Sequence, residues 1–333
     1  MPVIDVHAHL TPERFKRAIR TEGTWYGLGP IAGELGIGRF DISLSDRLAE
    51  MDAYGVDVQL ITPTAGFYQY ANALDTTVTI ARECNDEIAE VVDGHPDRFA
   101  GLGTLPMQDV PSAIAELERL TGELGLKGAM ISDHVAGRTY DHPSFLPFFQ
   151  AAERLGALLF FHQGGDTCVA LRTTRYKLGN AVGNLTERAL TFATLVFGGV
   201  MESCPNLKVL LAHGGGYTAF GVPRMDKVAG AFEGGYPQTG LQPPWKRGPD
   251  DYVLSRPPST YLGQFFYDCC TYDGPALRFL IDRVGIGRVM LGTDYPAPME
   301  LRDPVRWIEG LDELSRDEKD AILSTNAMAL LGM

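Results

Sequence analysis

His7 and His9 are separated by one residue, and because side chains alternate along an extended strand, both would project from the same side of it. Two adjacent imidazoles are a natural pair of metal ligands, although a single His-x-His is as often a chance feature of a loop. Three further polar residues change that balance by closing runs that are otherwise apolar. His162 ends Leu-Leu-Phe-Phe-His, His213 ends Val-Leu-Leu-Ala-His, and Asp294 ends Met-Leu-Gly-Thr-Asp. Three neutral imidazoles and a carboxylate, from His7, His9, His162 and Asp294, would hold one divalent ion and leave room for water, as catalytic rather than structural zinc sites do. Mn2+ or Fe2+ would also suit so imidazole-rich a site. Only four of the five convergent residues need bind the ion. His213 is assigned to the position just outside, where an imidazole can take a proton from activated water and give it back; the alternative is a fourth nitrogen ligand. His213 and Asp294 are therefore the expected catalytic residues. A second ion would need a bridging group, and Lys127 stands at the beginning of its strand, the wrong end, so a mononuclear centre is expected. The remaining histidines, His95, His134 and His142, lie in or near loops beside Gly, Pro or Asp and read as turn residues.

These residues need a scaffold that brings distant strand ends to one point. Eight short apolar runs alternate with helix-period segments: Val3 to Val6, Val58 to Thr62, Phe99 to Leu102, Gly128 to Ile131, Leu158 to Phe161, Val209 to Ala212, Phe265 to Asp268 and Val289 to Gly292. This pattern predicts an α/β fold, a (β/α)8 TIM barrel over residues 1–333 as a single domain, with the metal site at the C-terminal ends of the strands. Ala113, Ile114, Leu117, Leu120 and Leu124 form a helical stripe started by Asp109 and Pro111. Ser315 with Glu318 makes a capping box for the last helix, which Gly332 ends. Two stretches break the alternation. Residues 11–42 read as a flap over the site, and residues 234–260 as an inserted loop near its rim or a subunit contact.

Composition narrows the partners. Against 29 basic residues stand 42 acidic ones, a formal charge of -13 with no long run of one sign, which argues against nucleic acid and anionic membranes. A small anionic substrate is still accommodated, since one or two arginines in a cleft outweigh net charge locally. Five cysteines without a CxxC spacing favour reduced thiols in a cytoplasm over a disulfide framework. No basic segment precedes an apolar stretch at the N-terminus, and no window approaches the length of a membrane span.

With these motifs in hand the sequence resembles the amidohydrolase superfamily, in the branch of aminocarboxymuconate-semialdehyde decarboxylase. The likeness runs from Asp5-Val-His-Ala-His9 through Gly101-Leu-Gly-Thr-Leu-Pro-Met-Gln108, Ala151-Ala-Glu-Arg-Leu155 and Ala212-His-Gly-Gly-Gly216 to Leu291-Gly-Thr-Asp-Tyr-Pro296. The resemblance implies that His7, His9, His162 and Asp294 bind zinc and that His213 is the acid/base. It further implies that Arg47, five residues before Asp52, and Arg224, eleven after His213, hold substrate carboxylates, the second across a homodimer interface. Without the resemblance each would read as a solvated helix arginine. Two departures affect the substrate: Gln163-Gly-Gly-Asp166 stands where the family has Pro-Trp-Asp, and Ala297 where it has Phe, both removing aromatic bulk.

The expected activity is non-oxidative decarboxylation of an unsaturated or aromatic carboxylate, such as a carboxymuconate semialdehyde or a hydroxybenzoate. The same activated water could instead serve a hydrolase or hydratase of a ring-cleavage product, lactone or amide, because a fold does not choose its reaction. A non-catalytic metal-binding scaffold is a third reading.

Overall fold

The structure is a computed structural model that describes residues 1–30, 39–234 and 252–333; residues 31–38 and 235–251 lie outside the description. Among the described residues, eight parallel strands follow one another as β1 (Ile4–Leu10), β2 (Val58–Pro63), β3 (Phe99–Gly101), β4 (Gly128–Ile131), β5 (Leu158–Phe161), β6 (Lys208–Leu211), β7 (Phe265–Asp268) and β8 (Val289–Met290). They coincide with the eight apolar runs. The helices are α1 (Glu13–Glu22), α2 (Leu44–Tyr54), α3 (Leu74–Gly94), α4 (Val110–Gly122), α5 (Leu146–Leu155), α6 (Asn184–Phe197), α7 (Val200–Ser203), α8 (Thr218–Gly234), α9 (Gly274–Val284), α10 (Pro304–Glu309), α11 (Arg316–Asp320) and α12 (Asn326–Leu331).

Strands β1 to β3 and β4 to β8 form two continuous parallel ladders, and backbone bonds close both seams. Between β3 and β4, Gly103 N donates to Gly128 O at 2.9 Å and Met130 N to Gly103 O at 2.8 Å. Between β8 and β1, Val6 N donates to Leu291 O at 2.8 Å and Asp294 N to His7 O at 2.9 Å. The result is a closed barrel with no free sheet edge among the described residues. Its inside is packed by residues such as Val6, Leu60, Met130, Phe160 and Leu210, all buried, while alternate positions such as Ile61, Ile131, Leu159 and Leu211 face the helices. Full burial of a side chain the size of Phe160 stabilises by about 2–3 kcal/mol, so both faces of the sheet are strongly specified.

The helix signals act as read. The Asp109 side chain accepts from Ser112 N at 2.9 Å and starts α4, and the Ser315–Glu318 capping box starts α11. The final helical stretch is not uniform: a π-helical turn at Ala321–Thr325 separates α11 from α12, and Gly332 ends it in the left-handed region at φ 67°. Of the 11–42 stretch, the described part carries α1 and then a Trp25–Leu28 bridge, and Phe15 of α1 packs edge-on against Trp25 and Phe67 at 5.8 and 5.1 Å. That cluster fastens α1 to α3 through Ile80 and Cys84. The remainder of the expected flap, residues 31–38, is outside the described residues, as is most of the 234–260 stretch. The described end of the latter, from Tyr252, is tied to Glu202 on α7, which accepts from Tyr252 Oη at 2.6 Å and Ser255 N at 2.9 Å.

Candidate metal centre and active site

Strict alternation along β1 would defeat the site. Ile4 and Val6 point into the barrel, so His7 and His9 would by that count face the helices. A β-bulge reverses this: Asp5 pairs with Gln59 and Ala8 with Ile61, so Val6 and His7 together oppose the single residue Leu60. After the bulge His7 and His9 both face the mouth, and Ala8 faces the helix layer. Asp5 secures the distortion from the outer side. Its carboxylate accepts from His7 N at 3.1 Å, Thr293 N at 3.0 Å, Thr293 Oγ1 at 2.7 Å and Gln59 Nε2 at 3.1 Å, which ties β1 to β2 and to the end of β8.

Four side chains then converge. His7 Nε2 lies 3.2 Å from His9 Nε2 and 3.3 Å from Asp294 Oδ1, His9 Nε2 is 3.2 Å from the same oxygen, and His162 Nε2 is 3.9 Å from it. All four ligand atoms fall within 4.8 Å of one another, and all four residues are buried. Atoms bound tetrahedrally about 2.1 Å from one ion would stand about 3.4 Å apart, so the cluster fits a single divalent cation. The other ring nitrogens fix the tautomers. His7 Nδ1 donates to Asp268 Oδ2 at 2.7 Å, His9 Nδ1 to Thr62 Oγ1 at 3.2 Å and His162 Nδ1 to Gln163 O at 3.2 Å. Each Nε2 lone pair is thereby turned to the centre, and His162 Nε2 is buried with no hydrogen-bond partner among the described residues, as an ion ligand would be.

The electrostatics ask for a cation. Burial takes His162 down to about 3 and lowers His9, keeping both neutral and their lone pairs free. Burial pushes Asp294 up, but His7, with the other histidines, outweighs it and holds the group as a carboxylate. For His7 burial works against the charge, yet Asp294 and then Asp268 raise its pKa to about 10. A positive charge between these two carboxylates is what the site favours, and a divalent ion supplies it.

Asp268, at the end of β7, is the functional carboxylate that sequence reasoning missed. It is fully buried and accepts from His7 Nδ1, from His213 N at 2.8 Å, from Gly214 N at 2.7 Å and from Cys270 N at 3.0 Å. It therefore orients a candidate ligand and the His213 loop together. The signal was available: Phe-Phe-Tyr-Asp268 is a polar end to an apolar run, like the three others. His7, Asp268 and Cys270 also cluster closely, but Asp268's oxygens are already committed to these donors. We expect Asp268→Asn to weaken metal binding about ten- to a hundredfold. Competition against a chromogenic chelator measures this, and wild-type affinity would rule out the orienting role.

His213 stands beside the cluster rather than inside it, with Nε2 3.6 Å from Asp294 Oδ2 and Nδ1 buried without a partner among the described residues. Both His213 and Asp294 have left-handed backbones, at φ 58° and 60°. Such strain costs about 1–3 kcal/mol and persists where surroundings impose it, commonly at active sites. The surroundings here are Asp268 and two glycines. A Cβ on Gly216 would lie 2.2 Å from Leu185 O, and one on Gly292 would lie 2.9 Å from the His7 Cβ. Only glycine permits these approaches, which bring the 213–216 turn against α6 and the end of β8 against His7.

A cavity of about 490 Å³ opens over His213 and Asp294, walled by Leu185, Phe220, Phe279 and Leu280. A larger hollow of about 680 Å³ lies elsewhere, between Tyr140–Leu146, Phe197 and the 252–259 segment, away from the histidine cluster. The two expected substrate arginines sit differently. Arg47 is buried beneath Tyr295, 4.6 Å from its ring centroid; it donates to Gln59 Oε1 at 2.9 Å and to His9 O, and burial lowers its pKa to about 10. Through Gln59 it belongs to the outer network around Asp5, so a carboxylate in the mouth would reach it only by displacing these bonds. Arg224 is exposed on α8, on the face that carries Tyr217, Phe220 and Gly221 at helical spacing, and is not among the residues lining this chain's cavity. Arg188, fully buried on α6, pairs with Asp133 and donates to Phe161 O, which steadies the end of β5 next to His162. His95, His134 and His142 are in turns: His95 follows α3, His134 Nε2 is 2.8 Å from Asp166 O, and His142 caps a 3₁₀ turn.

Comparison with known proteins follows the same lines. The amidohydrolase family model matches residues 4–333. The chain is 34% identical to 2-amino-3-carboxymuconate-6-semialdehyde decarboxylase of Dictyostelium discoideum, over 99% of its own length and 91% of that protein's. It is 26% identical to 2-keto-4-carboxy-3-hexenedioate hydratase of a Sphingobium strain, over 85% of this chain and 80% of that one. The crystal structure of 5-carboxyvanillate decarboxylase from Sphingomonas paucimobilis superposes with a TM-score of 0.84 at 28% identity, covering 100% of this chain and 99% of that one.

Proposed function

Because this chain belongs to the amidohydrolase family, in the branch of 2-amino-3-carboxymuconate-6-semialdehyde decarboxylase, we propose that it is a divalent-metal-dependent carboxy-lyase. Its substrate is an unsaturated or aromatic carboxylate, such as a carboxymuconate semialdehyde or a hydroxybenzoate. The observation that carries the reading is the convergence of His7, His9, His162 and Asp294 beside His213, with Asp294 and His213 lining one cavity. Named decarboxylases among the relatives support it. His7, His9, His162 and Asp294 hold the ion, Zn2+ in the first instance. When bound, the ion supplies the positive charge that activates water and stabilises negative charge developing on the substrate. His213 Nε2 carries the proton. In the net reaction the carbon–carbon bond to the carboxylate breaks, carbon dioxide leaves, and the proton from His213 forms the new carbon–hydrogen bond.

The test is carbon dioxide release from a panel of carboxymuconate semialdehydes and hydroxybenzoates, using zinc- and manganese-loaded enzyme beside a chelated control. Metal-dependent release is the expected result. Consumption of substrate with water added and no carbon dioxide evolved would replace this reading with a hydratase or hydrolase, which the similarity to a named hydratase keeps in view.

We further infer a homodimer formed through α8. Tyr217 and Phe220 are 42% and 80% exposed on the helix face that bears Arg224, and Phe279 and Met299 extend the apolar rim at 43% and 49%. An apolar rim of this kind favours a partner surface, and Arg224 would then lie at the joint, where a guanidinium can grip a carboxylate. Phe220→Glu should convert the dimer to a monomer in analytical ultracentrifugation; a wild-type protein that sediments as a monomer would end this inference. The five free cysteines fit a reducing cytoplasm, and among the described residues no helix is long and apolar enough to cross a membrane.

A further inference from the structure

One wall of the cavity that His213 lines begins with an irregularity in the chain. Before α6 the backbone makes a π-helical turn, Gly179–Gly183, and such turns recur at functional sites because the extra residue redirects the side chains that follow. Asn184 comes immediately after it. The π turn is held from behind by Thr167, whose Oγ1 would lie 2.7 Å from a Cβ on Gly183, and α6 is held in front by Tyr217 N, which donates to Leu185 O at 3.1 Å. Between these two fixed points Asn184 is 8% exposed and lines the same cavity as His213 and Asp294. Its carboxamide makes no hydrogen bond among the described residues, and the neighbouring wall is Leu185, Phe220, Phe279 and Leu280. An amide with no protein partner that opens onto a largely apolar cavity gives up its water when a ligand fills the space, and only a polar group on that ligand then satisfies it.

We propose that Asn184 is a specificity-determining residue, selecting substrates whose unsaturated or aromatic body carries a neutral oxygen substituent that hydrogen-bonds its carboxamide. The amide offers both a donor and an acceptor, so hydroxyl, alkoxy and carbonyl oxygens all pair with it. An unsubstituted body leaves the amide buried and unpaired, which is how such a site rejects it. The inference rests on the proposed binding of a carboxylate in this cavity, and it fixes what the rest of that molecule carries.

The experiment separates the two readings by measuring binding as well as turnover. Dissociation constants for benzoate and for its mono- and dihydroxy and methoxy derivatives are measured calorimetrically on metal-loaded His213→Asn protein, with and without Asn184→Leu. Asn184→Asp serves as the shape-preserving variant should the leucine not fold. The expected result is that the preference for the best oxygenated ligand over benzoate falls about tenfold in Asn184→Leu. With Asn184→Asp, hydroxylated ligands keep part of the preference and methoxy ligands, which can only accept, lose it. A uniform loss for every ligand would mean that Asn184 only supports the fold, and an unchanged ratio would mean that it does not meet the substrate; either overturns the proposal. Failure of the wild type to release carbon dioxide, with the ratio still sensitive to Asn184, would instead sink the decarboxylase reading alone.

Discussion

His213→Asn should lower kcat by about a thousandfold while metal content stays at the wild-type level. The ring nitrogen is the group at issue. His213 Nε2 is 3.6 Å from Asp294 Oδ2, close enough to exchange a proton at the centre, yet it lies outside the group of four whose ligand atoms converge. Asparagine fills most of the imidazole's space and cannot cycle a proton near neutral pH. The backbone that places the residue is held by Asp268, which bonds His213 N and Gly214 N, so the loop should survive the change. Metal analysis by plasma emission, run beside steady-state kinetics, decides the assignment. Loss of the ion together with activity would make His213 a fourth nitrogen ligand, and loss of neither would remove it from the reaction.

Asp294→Asn is expected to abolish activity by a different route, through loss of the ion. Asp294 Oδ1 lies 3.3 Å from His7 Nε2 and 3.2 Å from His9 Nε2, and its negative charge is the largest favourable influence on a charged His7. An amide keeps the shape and removes the charge, leaving three imidazoles to hold a dication. The affinity should fall by more than the ten- to hundredfold expected for a supporting residue such as Asp268. Chelation of the wild type should reproduce the loss of turnover and lower the melting temperature, since an ion at a thousand times its dissociation constant contributes about 4 kcal/mol to stability. Excess zinc or manganese should restore the chelated wild type fully. A variant that binds metal as the wild type does would mean that the histidines alone make the site.

Much of this was legible in the linear sequence. A barrel strand buried on both faces must be a continuous apolar run, so a polar residue at its C-terminal end stands out, and His162, His213 and Asp294 were found in that way. Asp268 obeys the same rule. It escapes the reading because a second acid among these strand ends has no distinct spacing that would mark it as supporting His7 rather than binding metal itself. Helix starts were legible too, since a capping side chain acts on its own turn, as Asp109 and Ser315 do.

The rest belongs to long-range geometry. Composition and strand pattern determine that the chain closes a barrel and that its mouth is rich in imidazole. They do not determine that β1 is bulged, because a bulge follows from the pairing of Asp5 with Gln59 and Ala8 with Ile61, residues more than fifty positions apart. Nor could sequence separate two arginines that both looked like helix-surface residues: only packing buries Arg47 under Tyr295 while leaving Arg224 exposed beside Phe220. Asn184 is the clearest case. An asparagine near a helix start ordinarily reads as a cap, and it becomes a lining of the cavity shared with His213 only through the π turn and the close approach of Gly216 to Leu185. The chemistry available to the protein was thus written in residue types at strand ends, whereas which groups meet, and which are left free for a ligand, was decided by contacts that no local spacing encodes.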